Sequence, residues 1–174
     1  MIQKKIAAIL AGALFANVAA AASPGWYAGA QYGALTYDNN LGSEDANLGA
    51  LVLRGGVDFS PNFAVEGRFG FGIGDDAANS ATIKLDSMVG AYAIGKLPLG
   101  GSVDLYGVLG YTRFDMTFSN SLISVSADGS DLSVGVGADF RFGEAWSAGI
   151  EYMNYYDKDG EKITALSIGA NYRF

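Results

Sequence analysis

Residues 132–142 read Leu-Ser-Val-Gly-Val-Gly-Ala-Asp-Phe-Arg-Phe. Leu132, Val134, Val136, Ala138, Phe140 and Phe142 fall on one side of an extended chain, and Ser133, Gly135, Gly137, Asp139 and Arg141 on the other. A period of two is the signature of a strand with two unlike faces, since successive side chains of an extended chain point in opposite directions. The two faces here are unusual. The apolar one carries no charge, and the other is mostly glycine and serine with one acid and one base.

Working outward, the same pattern recurs. The last residues set Leu166, Ile168, Ala170, Tyr172 and Phe174 against Ser167, Gly169, Asn171 and Arg173. Trp26 to Tyr37 sets Trp26, Ala28, Ala30, Tyr32 and Ala34 against Tyr27, Gly29, Gln31 and Gly33. Asn47 to Phe59, Phe63 to Ile73, Val103 to Phe114 and Trp146 to Tyr156 alternate likewise, with Arg54, Asp58, Glu66, Arg68, Asp104 and Glu151 on their polar faces. Residues 82–97 are mostly apolar on both faces, so their register stays open. The count of strands is eight. Short connections fall at Ser60–Asn62, Pro98–Gly101 and Gly143–Ala145; longer polar ones fall at 38–46, 74–81, 119–130 and 157–162. Short turns on one rim and long loops on the other are the asymmetry of barrels that span an outer membrane.

Composition favours the same fold. The chain has 174 residues, 25 of them glycine, and is 50% hydrophobic, 13% aromatic and only 17% charged. A soluble domain carries about 25% charge. A soluble barrel would turn its apolar face inward and cover its outside with ions. Here the polar face has too few ions to serve as a wetted surface and suits a narrow lumen. Its charges, Arg54, Asp58, Glu66, Arg68, Asp104, Asp139, Arg141, Glu151 and Arg173, are four cations and five anions, able to pair with one another. The expected fold is therefore all-β, an eight-stranded antiparallel up-and-down transmembrane β-barrel whose uncharged face meets lipid. Arg113, near the loop end of its strand, is placed to reach the headgroups. Trp26, Phe59, Phe63, Trp146, Tyr172 and Phe174 cluster at the short-turn end, as an aromatic girdle does. On this reading an arginine at Val136 impairs insertion far more than one at Ser133, taken to lie near the loop rim.

Lys4 and Lys5, the apolar stretch Ile6 to Phe15, and Ala20 and Ala22 in an A-x-A arrangement read as a signal peptide over residues 1–22, leaving 23–174 as the barrel domain. The whole chain already carries a net charge of −7. Cleavage would remove two lysines and no acid, and so acidic a barrel argues against nucleic acid as a partner.

Gly25-Trp-Tyr-Ala-Gly-Ala-Gln-Tyr-Gly33, Gly55-Gly-Val57, Ser60-Pro-Asn-Phe63, Glu66-Gly-Arg-Phe-Gly70, Val103-Asp-Leu-Tyr106 and Gly149-Ile-Glu-Tyr152 together resemble the OmpA transmembrane domain and related small barrels. The likeness covers most of residues 25–174. The chain stops at Phe174, without the periplasmic peptidoglycan-binding domain of OmpA, so it is similar to the stand-alone OmpX, Ail and opacity-protein type. The resemblance implies a Gram-negative outer-membrane location and a porin-family type of barrel. It also implies that Leu166, Ile168, Ala170, Tyr172 and Phe174 form the signal read by the outer-membrane insertion machinery. Of the family's interior salt-bridge cluster, Glu66, Asp139 and Glu151 match acidic positions, while Gly149 replaces a key arginine.

Chemistry is sparse. The chain has no histidine and no cysteine. That removes the commonest general base and the commonest zinc and thiolate ligands. No catalytic site, cofactor or metal is expected. The glycine runs 67–74 and 135–137 lack phosphate-loop spacing. Asp157-Lys-Asp159-Gly160 is too short for a calcium loop. The loops are acidic at Asp38, Glu44, Asp45, Asp75, Asp76, Asp128, Asp131, Asp157, Asp159 and Glu161. Leu122 to Val125 suggests a β-ribbon above the membrane, whose edge could add a strand from a partner. The expected function is a monomeric, non-enzymatic barrel contributing to envelope structure and to surface interaction or adhesion. Its expected partners are outer-membrane lipid, lipopolysaccharide and a host or surface ligand. The rival is a narrow pore for ions or small solutes.

Overall fold

A computed structural model describes residues 25–39, 46–73, 76–78, 81–119, 124–158 and 161–174. The expected signal peptide and the loop acids Glu44, Asp45, Asp75 and Asp159 lie outside them. The strands are β1 (Gly25–Asn39), β2 (Ala46–Ser60), β3 (Phe63–Ile73), β4 (Asp76–Ala78), β5 (Ala81–Pro98), β6 (Val103–Ser119), β7 (Ser124–Phe142), β8 (Trp146–Lys158) and β9 (Glu161–Arg173). β4 is a three-residue strand on β5 alone. The other eight pair with their sequence neighbours, all antiparallel. Two further ladders, β1 with β9 and β3 with β5, close them into an up-and-down barrel.

Closure satisfies backbone groups that lipid could not, since an open sheet edge has no place in hydrocarbon. At the short-turn end Gly100, Gly101 and Gly143 have positive φ, a conformation glycine adopts without a Cβ clash. Backbone bonds from Lys96 to Asn62, Arg141 to Ser102 and Arg173 to Ala145 tie each turn to the neighbouring hairpin, and Phe174 bonds Trp26.

The faces expected from alternation are the faces observed. Leu109, Leu132, Val134, Val136, Phe140, Ile150, Leu166 and Ile168 are exposed outside, while Gln31, Arg54, Glu66, Arg68, Thr112, Ser133 and Glu151 are buried inside. In β5 the register slips between Leu85 and Ser87. That bulge at Asp86 puts Leu85 and Met88 on the same inner side as Tyr92 and Ile94, which explains why 82–97 shows no simple period.

Three expectations need correcting. One of the expected long loops, 157–162, is mostly paired strand, with β8 and β9 continuing to Lys158 opposite Glu161, whereas β6 and β7 continue to Ser119 opposite Ser124 as the expected ribbon above the membrane. A polar strand end and a polar loop look alike in sequence. The lumen is also not uniformly polar. Toward the loop end it holds an apolar core including Leu35, Leu48, Leu85, Met88, Phe114, Met153, Tyr155 and Ile163. Finally, Ser133 is completely buried. An arginine there would enter packed lumen and would not reach a wet rim.

Candidate functional site in the barrel lumen

Alternation on β1, β2, β3 and β8 brings five polar side chains to one level of the lumen, where they form a closed ring. Arg54 donates to Glu66 Oε2 from Nε at 2.9 Å and pairs with it through Nη2 at 2.8 Å. Glu66 Oε1 accepts from Arg68 Nε at 2.6 Å. The two Nη atoms of Arg68 meet Glu151 Oε1 at 2.6 Å and Oε2 at 2.8 Å, a bidentate pair. Gln31 completes the circuit. Its Nε2 donates to Glu151 at 3.4 Å and its Oε1 accepts from Arg54 Nη1 at 3.1 Å. Tyr27 adds a hydroxyl bond to Glu66 at 2.7 Å. Two arginines and two glutamates leave the ring formally neutral, and all four are buried. Buried ions persist only when paired and hydrogen-bonded in this way.

A second, uncharged chain spans the opposite wall. Tyr92 hydroxyl bonds Thr112 Oγ1 at 2.6 Å, Thr112 bonds Ser133 Oγ at 2.6 Å, and Ser133 donates to the Tyr155 carbonyl at 3.2 Å. The Arg68 guanidinium stacks 4.5 Å from the Tyr92 ring centroid and joins the two systems. With the apolar core above, the lumen is filled at this level by side chains.

Toward the short turns the interior loosens. Asp58 receives Lys96 at 2.6 Å and Arg173 at 2.7 Å, and Arg141 approaches Asp104 at 3.3 Å. A cavity of about 40 Å³ lies here, bordered by Tyr27, Arg54, Lys96, Tyr106 and Asp139. The structure therefore brings eight of the nine expected lumen charges into ion pairs, in three separate groups rather than one network. Asp139 is the exception. Across the ladders it faces Asp104 and Gly149, neither a cation, while Arg54 is committed to Glu66 and Gln31. Its carboxylate occupies the space above Gly149, where an added Cβ would overlap Oδ1. Lys96 was missed because it sits in the segment of undecided register. Gln31, Tyr27, Thr112 and Ser133 carry no charge to mark them, but their place on the polar face was the available signal.

The aromatic residues of the turn end lie as neighbours on the outside. Trp146 stacks edge-on to Tyr172 at 5.0 Å, Tyr172 to Phe174 at 5.2 Å, and Phe59 lies 6.3 Å from Phe63. Trp26 is also exposed. Leu166 and Ile168 face outward on the same strand, as does Ala170.

Residues 6–174 match the sequence profile of the outer membrane protein beta-barrel domain. The chain belongs to this family. Its location is accordingly the outer membrane of a Gram-negative bacterium. No curated protein sequence is significantly similar to the chain. Among solved structures, Ail, the attachment invasion locus protein of Yersinia pestis, superimposes with a TM-score of 0.69 at 21% identity, over 88% of this chain and all of that one. Neisserial surface protein A gives 0.64 at 16% identity, over 88% and 100%. OprG from Pseudomonas aeruginosa gives 0.52 at 17%, over 88% and 97%. Identities this low establish a shared fold. In such an outer-membrane barrel the short-turn end is periplasmic and the long β6–β7 hairpin is extracellular. The ring then closes the lumen within the membrane, and the 40 Å³ cavity opens from the periplasmic side.

Proposed function

We propose that this protein is a non-enzymatic, closed outer-membrane barrel that contributes to envelope structure and presents its extracellular end for surface interaction. The observation that carries this reading is the neutral, buried ring of Gln31, Arg54, Glu66, Arg68 and Glu151, backed by an apolar core. Such a lumen offers solutes no path. What remains for the protein to offer is its outside and its rim.

Two features of that rim support interaction. Asp38, Asp128 and Asp157 are exposed acids and Asp131 is half-buried beside them, suiting this end to divalent-cation bridges with lipopolysaccharide phosphates or to a surface ligand. Among the described residues, β7 pairs with β8 only from Val134 onward, so Ser124–Ser133 is laddered to β6 alone. A partner strand could add there. Residues 1–22 act as a cleaved signal peptide, the girdle aromatics anchor the periplasmic interface, and the C-terminal pattern ending in Phe174 is read during insertion. The name of Ail, attachment invasion locus, is in keeping with an adhesive role.

A deletion strain complemented with the wild type or with Asp38, Asp128, Asp131 and Asp157 changed to Asn tests the proposal. Deletion should raise detergent sensitivity and lower attachment to surfaces; the neutralised variant should restore only the first. Unchanged phenotypes on deletion, or full restoration by the variant, would overturn it. A narrow pore is the second reading, favoured by the polar periplasmic cavity that reaches Arg54.

A further inference from the structure

At the extracellular end, above the apolar core, the interior opens into a cavity of about 140 Å³. Three aromatic side chains from different strands border it: Tyr37 on β1, Phe114 on β6 and Tyr156 on β8. Met116 and Ile163, both buried, contribute the apolar floor. The cavity exists partly because β7 offers Gly129 at this level, where an added Cβ would meet only Tyr156, at 3.7 Å. Two acids border the same space, Asp128 and Glu161. Glu161, exposed at the start of β9, accepts a bond from the Tyr37 hydroxyl at 3.0 Å through Oε1. Its second oxygen has no hydrogen bond among the described residues.

We infer that this cavity binds a small organic ammonium ion, a quaternary or alkylated amine with an apolar body. Aromatic rings attract a cation through their quadrupoles and aromatic enclosures recognise quaternary ammonium groups, and three rings border this space. Glu161 supplies the formal counter-charge at the rim. The size is suitable, since an apolar cavity of about 150 Å³ admits a guest as large as benzene. An apolar neutral guest would leave Glu161 unused, and an anion would be repelled by it. Asp128 also borders the cavity, but its carboxylate is 3.4 Å from Arg113 Nη2 on the outer face, so it contributes little to the guest. The inference is independent of the proposed surface role, because a barrel that touches no other surface would still carry the cavity.

The probe is benzyltrimethylammonium, titrated by calorimetry into the full barrel in uncharged maltoside micelles. Benzyl alcohol and benzenesulfonate serve as neutral and anionic comparators. The expected result is saturable binding of the cation, at least tenfold tighter than either comparator. Glu161→Gln and Gly129→Leu, which remove the charge and fill the space, should each weaken it at least fivefold, whereas Asp128→Asn should change it less than twofold. Glu161 is exposed, so its variant keeps the fold even if Gly129→Leu does not, and circular dichroism checks both. Absence of saturable binding, equal affinity for benzyl alcohol, or binding untouched by Glu161→Gln would each overturn the inference.

Discussion

Replacing Glu66 by Gln changes one oxygen for one nitrogen, yet the structure makes it a severe substitution. Glu66 is 1% exposed and accepts bonds from Tyr27, Arg54 and Arg68. Arg54 and Arg68 bond different carboxylate oxygens, so whichever position becomes the amide nitrogen turns a donor toward an arginine donor. The ring also changes from neutral to one net positive charge in a buried site. Breaking a buried pair by neutralising one partner costs about 3–5 kcal/mol. The comparison is Asp104→Asn. Its partner Arg141 has a side chain 39% exposed and stands 3.3 Å away, so the loss should stay within about 1 kcal/mol. Reversible urea unfolding in lipid vesicles, followed by fluorescence of Trp26 and Trp146, measures both. Removing a matched pair should hurt less than removing half of one. The double variant Arg54→Met with Glu66→Met should therefore recover much of the lost stability, because Arg68 and Glu151 still neutralise each other. A cost for Glu66→Gln below about 1 kcal/mol, or equal to that of Asp104→Asn, would refute the reading of the ring as a desolvated, tightly coupled unit.

Val136 is 63% exposed on the lipid face, so Val136→Arg should cost about 2–4 kcal/mol of barrel stability, against about 0–1 for Ser130→Arg on the same face near the extracellular rim; equal costs would mean that Val136 does not lie at mid-bilayer depth. Gly149→Ala should destabilise by about 1–3 kcal/mol, since the new Cβ meets the Ala138 carbonyl at 2.7 Å as well as Asp139, whereas Gly95→Ala, with nothing within 4 Å, should be neutral in the same urea assay. Deleting Phe174 should lower the amount of assembled protein in cells while leaving refolding in detergent intact; loss of both would make the residue structural rather than part of an assembly signal.

Much of this architecture was legible because lipid and a narrow lumen impose opposite demands on alternate residues. Leu132 to Phe142 and Leu166 to Phe174 show both demands cleanly, and their faces follow directly. The reading failed where one demand relaxed. In β5 the lumen side carries Leu85, Met88, Tyr92 and Ile94, as apolar as the lipid side, and the bulge at Asp86 shifts the period midway. Lys96 disappeared into that ambiguity. At the extracellular end Asp157, Lys158, Glu161 and Lys162 are all polar, so the paired ends of β8 and β9 looked like loop. The pairing of the lumen charges depended on which strands become neighbours on closure. Arg68 and Glu151 are 83 residues apart, and alternation says only that both point inward. Asp139 points inward too, but toward Gly149 and another acid.

We propose that a closed ring of ion pairs and an apolar core seal the lumen. Conductance of the purified wild-type protein in a planar lipid bilayer tests it most directly. A silent membrane under applied voltage is expected of the wild type and of Glu66→Gln alike, because the apolar core remains in both. Steady single-channel steps from the wild type would contradict it and make the narrow pore the better description of this barrel.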